Sequence, residues 1–222
     1  ILSDAQQEVK TFVERCDAVV SSSLMGQGGF DNTDRRYLGR HGMHGTKTSS
    51  LAITACDLFV GIGTRFSDRV ICDIKSFAPN ADILHIDIDS TEINKNIKVG
   101  YQIIGDVKQV LQRINAQLPQ QAHPEWIQQV VAWKAEYPMI QQPQAADAVM
   151  PQEVIETLDR LTGGEAIIAT EVGQHQMWTA QFYNFKHPHQ FVSSGGLGTM
   201  GFGFGAAIGA KVANPDKTVV NI

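Results

Sequence analysis

The hydrophobic pattern alternates between helical spacing and short apolar runs over the first half of the chain. Apolar residues recur every three or four positions in residues 3–16 and 107–118, which predicts amphipathic helices there, and another helix is predicted over residues 48–56. Between these helices lie runs rich in Val, Ile and Leu that predict buried strands: "DAVV", "DLFVGIG", "LHIDID" and "YQIIGD". Since strands alternating with helices favour parallel pairing, residues 1–118 are predicted to form one Rossmann-like α/β domain.

The pattern changes at Pro119 and again at Pro151. Residues 119–150 are rich in Gln, Ala and Pro, which is typical of a linker, and one helix is predicted within them from Glu125 to Tyr137. Residues 151–222 return to alternating helices and strands, which predicts the N-terminal part of a second α/β domain that ends early. Its first helix is expected to bury one stripe, formed by Val154, Ile155, Leu158 and Leu161.

Composition excludes several classes of protein. The 222 residues are 43% apolar and 18% charged, which is enough for a buried core and argues against disorder. A net charge of −5 gives no electrostatic reason to expect nucleic acid, and no apolar run approaches the roughly 18 residues of a membrane span. Cys16, Cys56 and Cys72 are odd in number and far apart, so we expect reduced thiols of a cytoplasmic-type protein. Because the chain begins at Ile1, an organellar targeting segment before it stays an open alternative.

Two loops at predicted strand ends combine glycine with polar side chains. Ligands of parallel sheets bind beyond the carboxyl ends of the strands. The loop 21–30 could face a phosphate or be a plain surface turn. In the loop 61–69, Gly63 permits close approach, and Arg65 and Arg69 suit a diphosphate or a carboxylate; the alternative is two surface arginines paired with aspartates.

Two further strand ends carry candidate binding groups. Asp87 is placed to hold a ribose or ribityl hydroxyl, while Asp89, with Glu92 three residues later, suits a helix N-cap and capping box. In the segment 171–178 a strand leads into a helix, whose free N-terminal amides form an anion site. The histidine pairs of the chain lack a third ligand nearby, so no metal site is predicted.

These motifs occur together in one known family. "GMHGTK", "GTRFSDRV", "LHIDID", "IGDV", "EVGQHQMW" and "SSGGLGTMGFG" occur in this order and spacing, and the chain resembles the catalytic large subunit of acetohydroxyacid synthase (acetolactate synthase) over nearly its whole length. The resemblance implies a thiamine-diphosphate enzyme with a central FAD-associated domain at residues 1–118 and the start of the cofactor domain at residues 151–222. Ser67 departs from the family's usual Asp, which puts one flavin contact in doubt.

The resemblance also implies roles for individual residues. Arg69 and Met43 would face the substrate, with Arg69 holding the carboxylate of the second keto acid. The residues expected to contact thiamine diphosphate are Val172, Gly173, Gln174, His175, Gly198 and Met200. Those expected to surround FAD, which would be structural and not redox-active, are Ser23, Leu24, Gly42, Met43, His44, Gly63, Thr64, Arg65, Arg69, Val70, Asp87, Ile88, Glu92, Gly105, Asp106, Val107, Gln176, Met177, Gly195 and Gly196.

The activity implied by the resemblance is carboligation in valine, leucine and isoleucine synthesis. Pyruvate would be decarboxylated on thiamine diphosphate and the two-carbon unit transferred to pyruvate or 2-ketobutyrate. The implied partners are a second copy of the chain, in a homodimer or homotetramer, and a regulatory small subunit. The activating glutamate is expected outside this chain and the Mg²⁺ ligands after Ile222, so the 222 residues alone are expected to be inactive.

Two alternatives stay open. The looser glycine loops also fit relatives such as glyoxylate carboligase, sulfoacetaldehyde acetyltransferase and oxalyl-CoA decarboxylase. A non-catalytic nucleotide-binding module would explain residues 1–118, but such a module has no use for "GQHQMW".

Overall fold

The computed structural model describes residues 1–140 and 148–222. Its N-terminal half contains five helices and five strands among the described residues: α1 (Gln6–Cys16), β1 (Val20–Ser22), β2 (Tyr37–Arg40), α2 (Lys47–Ala55), β3 (Leu58–Ile62), α3 (Asp68–Ile71), β4 (Asp82–Asp87), β5 (Tyr101–Ile104), α4 (Val107–Gln117) and α5 (Pro124–Glu136). The C-terminal part contains α6 (Pro151–Thr162), β6 (Ile167–Thr170), α7 (Gln174–Phe182), β7 (Phe191–Ser193), α8 (Phe202–Ala213) and β8 (Val219–Asn221).

The described residues form two compact units. The N-terminal unit comprises Leu2–Ser23 and Leu38–Pro138, and the C-terminal unit comprises Ile1, Leu24–Tyr37 and the described part of Met139–Ile222. The segment Leu24–Tyr37 thus packs with residues more than a hundred positions later in the chain. Conversely, α5, within the stretch whose composition suggested a linker, belongs to the N-terminal unit.

The N-terminal unit is organised by a parallel sheet in the order β3-β4-β5. Ile86 of β4 and Leu111 of α4 are fully buried and pack with Phe12 of α1 on one side of the sheet. A second cluster contains Phe66 and Phe77, whose ring centroids lie 6.0 Å apart. The three strands run in one direction, so their carboxyl ends meet at a single edge.

Helix α5 contributes two tryptophans to the packing of the N-terminal unit. Trp126 and Trp133 lie one above the other on α5, with ring centroids 5.9 Å apart. They pack against a cluster that contains Leu38, Ala52 and Val130. These two rings therefore serve the core of the N-terminal unit.

The C-terminal unit contains a second parallel sheet, in the order β7-β6-β8. All four residues of β6 are buried, as expected for a central strand of a parallel sheet. Ile168, Tyr183, Phe185 and Phe191 form its core. The predicted α/β class with parallel sheets is confirmed in both units.

Some local predictions are wrong. Of the stripe predicted for α6, Ile155 is buried, but Val154 is 53% and Leu161 77% exposed. From the sequence we expect Ser3 or Asp4, as polar residues just before α1, to cap it, but the N-cap is Ala5 and no side chain caps the helix. The short strand β2 and the single-turn helix α3 have no clear hydrophobic period and were not predicted.

Within residues 1–140 and 148–222, no helix combines the length and apolar character needed to cross a membrane.

Candidate functional sites

The loops that follow the parallel strands of the N-terminal unit are joined by backbone hydrogen bonds. The Gly63 amide donates to the Ile86 carbonyl at 2.8 Å, and the Gly105 amide donates to the Asp87 carbonyl at 2.9 Å. Gly63 has φ +58°, and a Cβ there would meet no atom within 4 Å, so this glycine faces open space. Three of the predicted flavin-side residues therefore lie together at one edge of the sheet.

Asp87 is the buried acid of this edge. Its side-chain Oδ1 accepts the Asp89 amide at 2.9 Å, and the residue is 8% exposed. Asp89 instead points into its own turn, where Oδ1 accepts the Thr91 amide at 2.8 Å and the Thr91 hydroxyl at 2.7 Å. These two bonds lower the pKa of Asp89. The predicted division between a capping Asp89 and a ligand-facing Asp87 is consistent with this geometry.

Glu92 does not complete the predicted capping box. Asp89 caps only a short 3₁₀ turn, Ser90–Glu92, through the Thr91 amide. The Glu92 carboxylate accepts from the Lys95 ammonium group at 2.7 Å. The capping-box prediction was wrong because the Asp89 amide, which Glu92 would have to accept, donates instead to Asp87 Oδ1.

The two residues predicted to face the substrate are in contact. The Met43 amide donates to the Arg69 carbonyl at 2.9 Å, and the Arg69 guanidinium lies 3.6 Å from the Met43 sulfur. Gly42, which directly precedes Met43, has φ +90°, and a Cβ on it would collide with the Arg69 carbonyl. The Arg69 side chain is 72% exposed, and its Nε lies 3.8 Å from the exposed Asp68 carboxylate. A pair so exposed contributes little, so the guanidinium is available to an anion.

Two histidines beside this contact favour their neutral forms. His41 is buried, its Nδ1 lies 3.0 Å from the Ser21 hydroxyl, and burial together with Arg40 lowers its pKa to about 4. For His44, burial and then the charges of Arg40 and Arg69 lower the pKa. Both rings are therefore neutral near pH 7.

The remaining predicted flavin-side residues of this unit lie in loops that follow strands or in the helices after those loops. Ser67 is the N-cap of α3, but its side chain makes no capping bond. Arg65 is exposed, and its backbone carbonyl accepts a hydrogen bond from the side-chain amide of Asn96 at 2.9 Å. Ile88 is 70% exposed directly after β4. The others are Ser23 after β1, Thr64 after β3, Val70 in α3, and Asp106 with Val107 at the start of α4.

Asp106 is a helix cap. Its side chain accepts the Gln109 amide at 3.1 Å and so satisfies one free donor at the N-terminus of α4. This bond is the largest cause that lowers the pKa of Asp106. A capping role explains the residue without a ligand.

In the C-terminal unit, the predicted diphosphate-side residues lie at the N-terminus of α7. Helix α7 begins at Gln174 after the N-cap Gly173, which makes no side-chain cap bond. Its first-turn amides have no partner within the helix and carry partial positive charge. The His175 ring lies over Gly173, since a Cβ there would be 3.0 Å from its Nδ1. The predicted diphosphate-side residues are thus grouped around exposed amides.

A buried polar network lies beneath this helix start. The side-chain amide of Gln176 donates to the Ser193 hydroxyl at 2.6 Å, and the Thr170 hydroxyl lies 2.8 Å from the same oxygen. All three side chains are buried. The predicted flavin-side residue Gln176 therefore has an internal role, since it joins α7 to the ends of β6 and β7. Its neighbour Met177 is half-buried.

The glycine-rich loop 194–201 is held at several points. The Thr199 amide donates to the Ser194 hydroxyl at 2.9 Å, and the Gly201 amide donates to the Glu171 carboxylate at 3.0 Å. A Cβ on Gly198 would contact the Val172 side chain at 3.6 Å, which places two predicted thiamine-side residues together. Met200 is 82% exposed.

The glycines of this loop differ in what surrounds them. A Cβ on Gly195 would collide with the Met25 sulfur, whereas Gly196 has open space around it. A Cβ on Gly203 would lie 2.7 Å from Asn221 Oδ1 and 2.8 Å from Glu171 Cγ. The sequence alone gave no signal for Met25 or Glu171, because neither residue type marks a loop contact. Leu24, the last predicted flavin-side residue, packs against the core of this unit.

Among the described residues, no group of three or more His, Cys, Asp or Glu side chains is arranged to hold a metal ion.

Comparison with known proteins agrees with both halves of the chain. Residues 1–114 match the family model described as thiamine pyrophosphate enzyme, central domain, and residues 171–222 match the C-terminal TPP binding domain. The chain is 41% identical to the acetolactate synthase large subunit of Haemophilus influenzae and 42% identical to acetolactate synthase isozyme 3 large subunit of Escherichia coli, covering 99% of this chain and 39% of each relative. It is 46% identical to the chloroplastic acetolactate synthase of Arabidopsis thaliana, over 99% of this chain and 33% of that protein. The chain therefore spans between a third and two fifths of the length of these relatives.

Proposed function

We propose that this chain, which belongs to the thiamine pyrophosphate enzyme family, is a segment of an acetolactate synthase catalytic subunit. The observation that carries this proposal is identity of 41–46% to acetolactate synthases over 97–99% of the chain. The activity would be decarboxylation of pyruvate and transfer of its two-carbon unit to pyruvate or 2-ketobutyrate. The products would be acetohydroxyacids for branched-chain amino-acid synthesis.

The residues of the C-terminal unit fit thiamine diphosphate. Amides at Gln174 and His175, at the start of α7, can donate to a diphosphate, and the helix dipole favours its charge. Gly198 leaves the backbone beside Val172 bare for a flat ring. When bound, thiamine diphosphate supplies the nucleophilic carbon that 2-keto acid decarboxylation needs. Met200, which is exposed, would close over the cofactor from the loop.

The strand-end loops of the N-terminal unit fit a dinucleotide such as FAD. Asp87 is a buried acceptor at the end of β4, the usual place for a residue that binds ribose or ribityl hydroxyls. Gly63 faces open space, and Gly105 is tied to the same strand end. We infer a structural flavin here, with the remaining strand-end residues around it. We assign no magnesium ligand to the described part of this chain.

Arg69 is our candidate for the substrate carboxylate. Its guanidinium is exposed and rests on Met43, and the backbone bond between these residues fixes the base of the side chain. A planar guanidinium binds a carboxylate through two parallel hydrogen bonds, which orients a 2-keto acid as well as attracting it. Met43 would supply the apolar wall beside the reacting carbons.

We further infer that the enzyme assembles from copies of this chain. Relatives from Haemophilus influenzae and Escherichia coli carry "large subunit" in their names, which supports a regulatory small subunit as a partner. The proposed compartment is the cytoplasm for a bacterial source, and a chloroplast for a plant source, as in the Arabidopsis thaliana relative.

The test is substrate profiling of the intact protein that contains these residues. With thiamine diphosphate, Mg²⁺ and FAD supplied, we expect acetolactate from pyruvate and 2-aceto-2-hydroxybutyrate when 2-ketobutyrate is added. Condensation of glyoxylate, or decarboxylation of oxalyl-CoA without acetolactate, would contradict the proposal. Residues 1–222 alone, assayed in parallel, are expected to form no acetolactate.

A further inference from the structure

His85 is a buried polar side chain that packing alone does not explain. It lies in the middle of β4, is fully buried, and packs edge-on against Phe66 with ring centroids 4.9 Å apart. Neither ring nitrogen has a hydrogen-bond partner among the described residues. Its Nε2 lies 3.6 Å from Oδ2 of Asp87.

The lack of a partner has a cost. A buried polar group without a hydrogen bond destabilises a protein by about 1–3 kcal/mol, and such groups in native proteins usually have an explanation. An apolar ring such as Phe would pack against Phe66 without that cost. The nitrogens of His85 therefore call for a hydrogen-bond partner.

Asp87 is the partner within reach. Residues 85 and 87 are two apart on one strand and so project from the same face of the sheet. Asp87 Oδ1 already accepts the Asp89 amide at 2.9 Å, which leaves Oδ2 facing His85. A closure of about 0.7 Å would turn the separation between Nε2 and Oδ2 into an ordinary hydrogen bond.

We propose that His85 is a positioning residue that donates from Nε2 to Asp87 Oδ2 and holds the carboxylate where it accepts ribityl or ribose hydroxyls. This inference rests on the proposed flavin site. With one oxygen held by the Asp89 amide and the other by His85, the plane of the carboxylate is fixed. Its remaining lone pairs then point in set directions, so a hydroxyl-bearing ligand binds without first ordering the acid.

The experiment is a double-mutant cycle on the intact protein, with FAD as the probe. His85→Phe should weaken FAD binding roughly tenfold, a loss of about 1.4 kcal/mol. His85→Gln, which keeps a side-chain N–H donor, should restore affinity to within about threefold. In an Asp87→Asn background, His85→Phe should change FAD affinity less than about twofold, because its target is altered. His123→Phe, at an exposed histidine of the same unit, is the matched control and should change nothing.

Two failures are distinguishable. A wild-type protein that binds no flavin overturns the proposed flavin site, and this inference with it. If the wild-type protein binds FAD and the His85→Phe variant binds it equally well, only the role of His85 is overturned. The same holds if His85→Phe lowers FAD affinity by the same factor with and without Asp87→Asn. If His85→Phe does not fold, His85→Leu, which also removes both nitrogens, replaces it in the cycle, and the same outcomes decide.

Discussion

Gln190 provides a test of how the C-terminal unit is held together away from its candidate site. Its side chain is 1% exposed and engages four backbone groups. Oε1 accepts the amides of Lys186 at 2.8 Å and His187 at 2.9 Å. Nε2 donates to the carbonyl of Gly164 at 2.9 Å and, at a longer 3.5 Å, to that of Ala166. One amide thus joins the turn before β7 to the turn before β6.

The expected cost of Gln190→Leu follows from these contacts. Three well-formed bonds at about 1 kcal/mol each amount to about 3 kcal/mol, and the leucine gains about 1 kcal/mol from burial. The backbone carbonyls and amides that lose their partner cost only about 1 kcal/mol more, because those that are half-exposed form hydrogen bonds with water instead. The net destabilisation is about 3 kcal/mol, roughly a 150-fold shift in the unfolding equilibrium.

Urea unfolding of the intact protein, with hydrogen exchange of β6, measures this. The Ile168 amide donates to the Gln190 carbonyl at 2.7 Å and should lose protection with the unit. Gln152→Leu, whose side-chain amide donates to the Glu156 carboxylate at an exposed position on α6, is the control and should cost less than about 0.5 kcal/mol. Gln190 lies at the amino end of β7, opposite the candidate site, so thiamine diphosphate affinity should be unchanged in the folded variant. A decrease of less than about 1 kcal/mol in the free energy of unfolding, or an equal decrease in the control variant, would refute the reasoning.

Three further predictions concern the candidate sites. Glu171→Ala should weaken thiamine diphosphate binding roughly fivefold by calorimetry, because the Gly201 amide loses its acceptor, while Glu171→Gln retains most affinity; equal losses would contradict this. Arg69→Lys keeps the charge but loses the bidentate geometry, so released acetaldehyde should rise relative to acetolactate, and an unchanged product ratio would remove Arg69 from the substrate site. His41 has its pKa lowered to about 4 against about 6.5 when unfolded, so the unfolded state binds more protons in this window, and stability should fall by about 3 kcal/mol as pH drops from about 6.5 to about 4. Urea midpoints of His41→Asn should lack this part of the slope, and a slope equal to that of the wild type would contradict the assignment.

The parallel sheets could be predicted because their strands are short, continuous apolar runs. Continuous apolar runs such as those of β3 and β6 have few other stable arrangements, and helices between them leave parallel pairing as the simple topology. The strand-end rule then predicted that Gly63 and Asp87 would lie at one edge, whereas Gly105 was expected there only from the family resemblance. These inferences rest on periodicity and connectivity, which a sequence displays directly.

Features that depend on tertiary contacts could not be predicted in this way. Periodicity finds an apolar face but not whether another element covers it, which is why Leu161 was wrongly expected to be buried. The function of a polar side chain depends equally on its neighbours. The bond from the Gln176 side-chain amide to the Ser193 hydroxyl, inside the unit, carried no signal in the sequence, and neither did the buried Gln190.

The segment Leu24–Tyr37 shows why the glycine-rich loop lacks side chains on one side. Although this segment follows β1 of the N-terminal unit, it packs in the C-terminal unit. There the buried side-chain amide of Gln27 donates to the Ala180 carbonyl at 2.8 Å and accepts a hydrogen bond from the Tyr37 hydroxyl at 3.1 Å. These bonds fix Met25 against Gly195, so any side chain at that glycine would displace the methionine sulfur. Gly196, by contrast, has no neighbour within contact distance. Protein packing therefore accounts for Gly195, while the open space beside Gly196 leaves room for the FAD that the resemblance implies there.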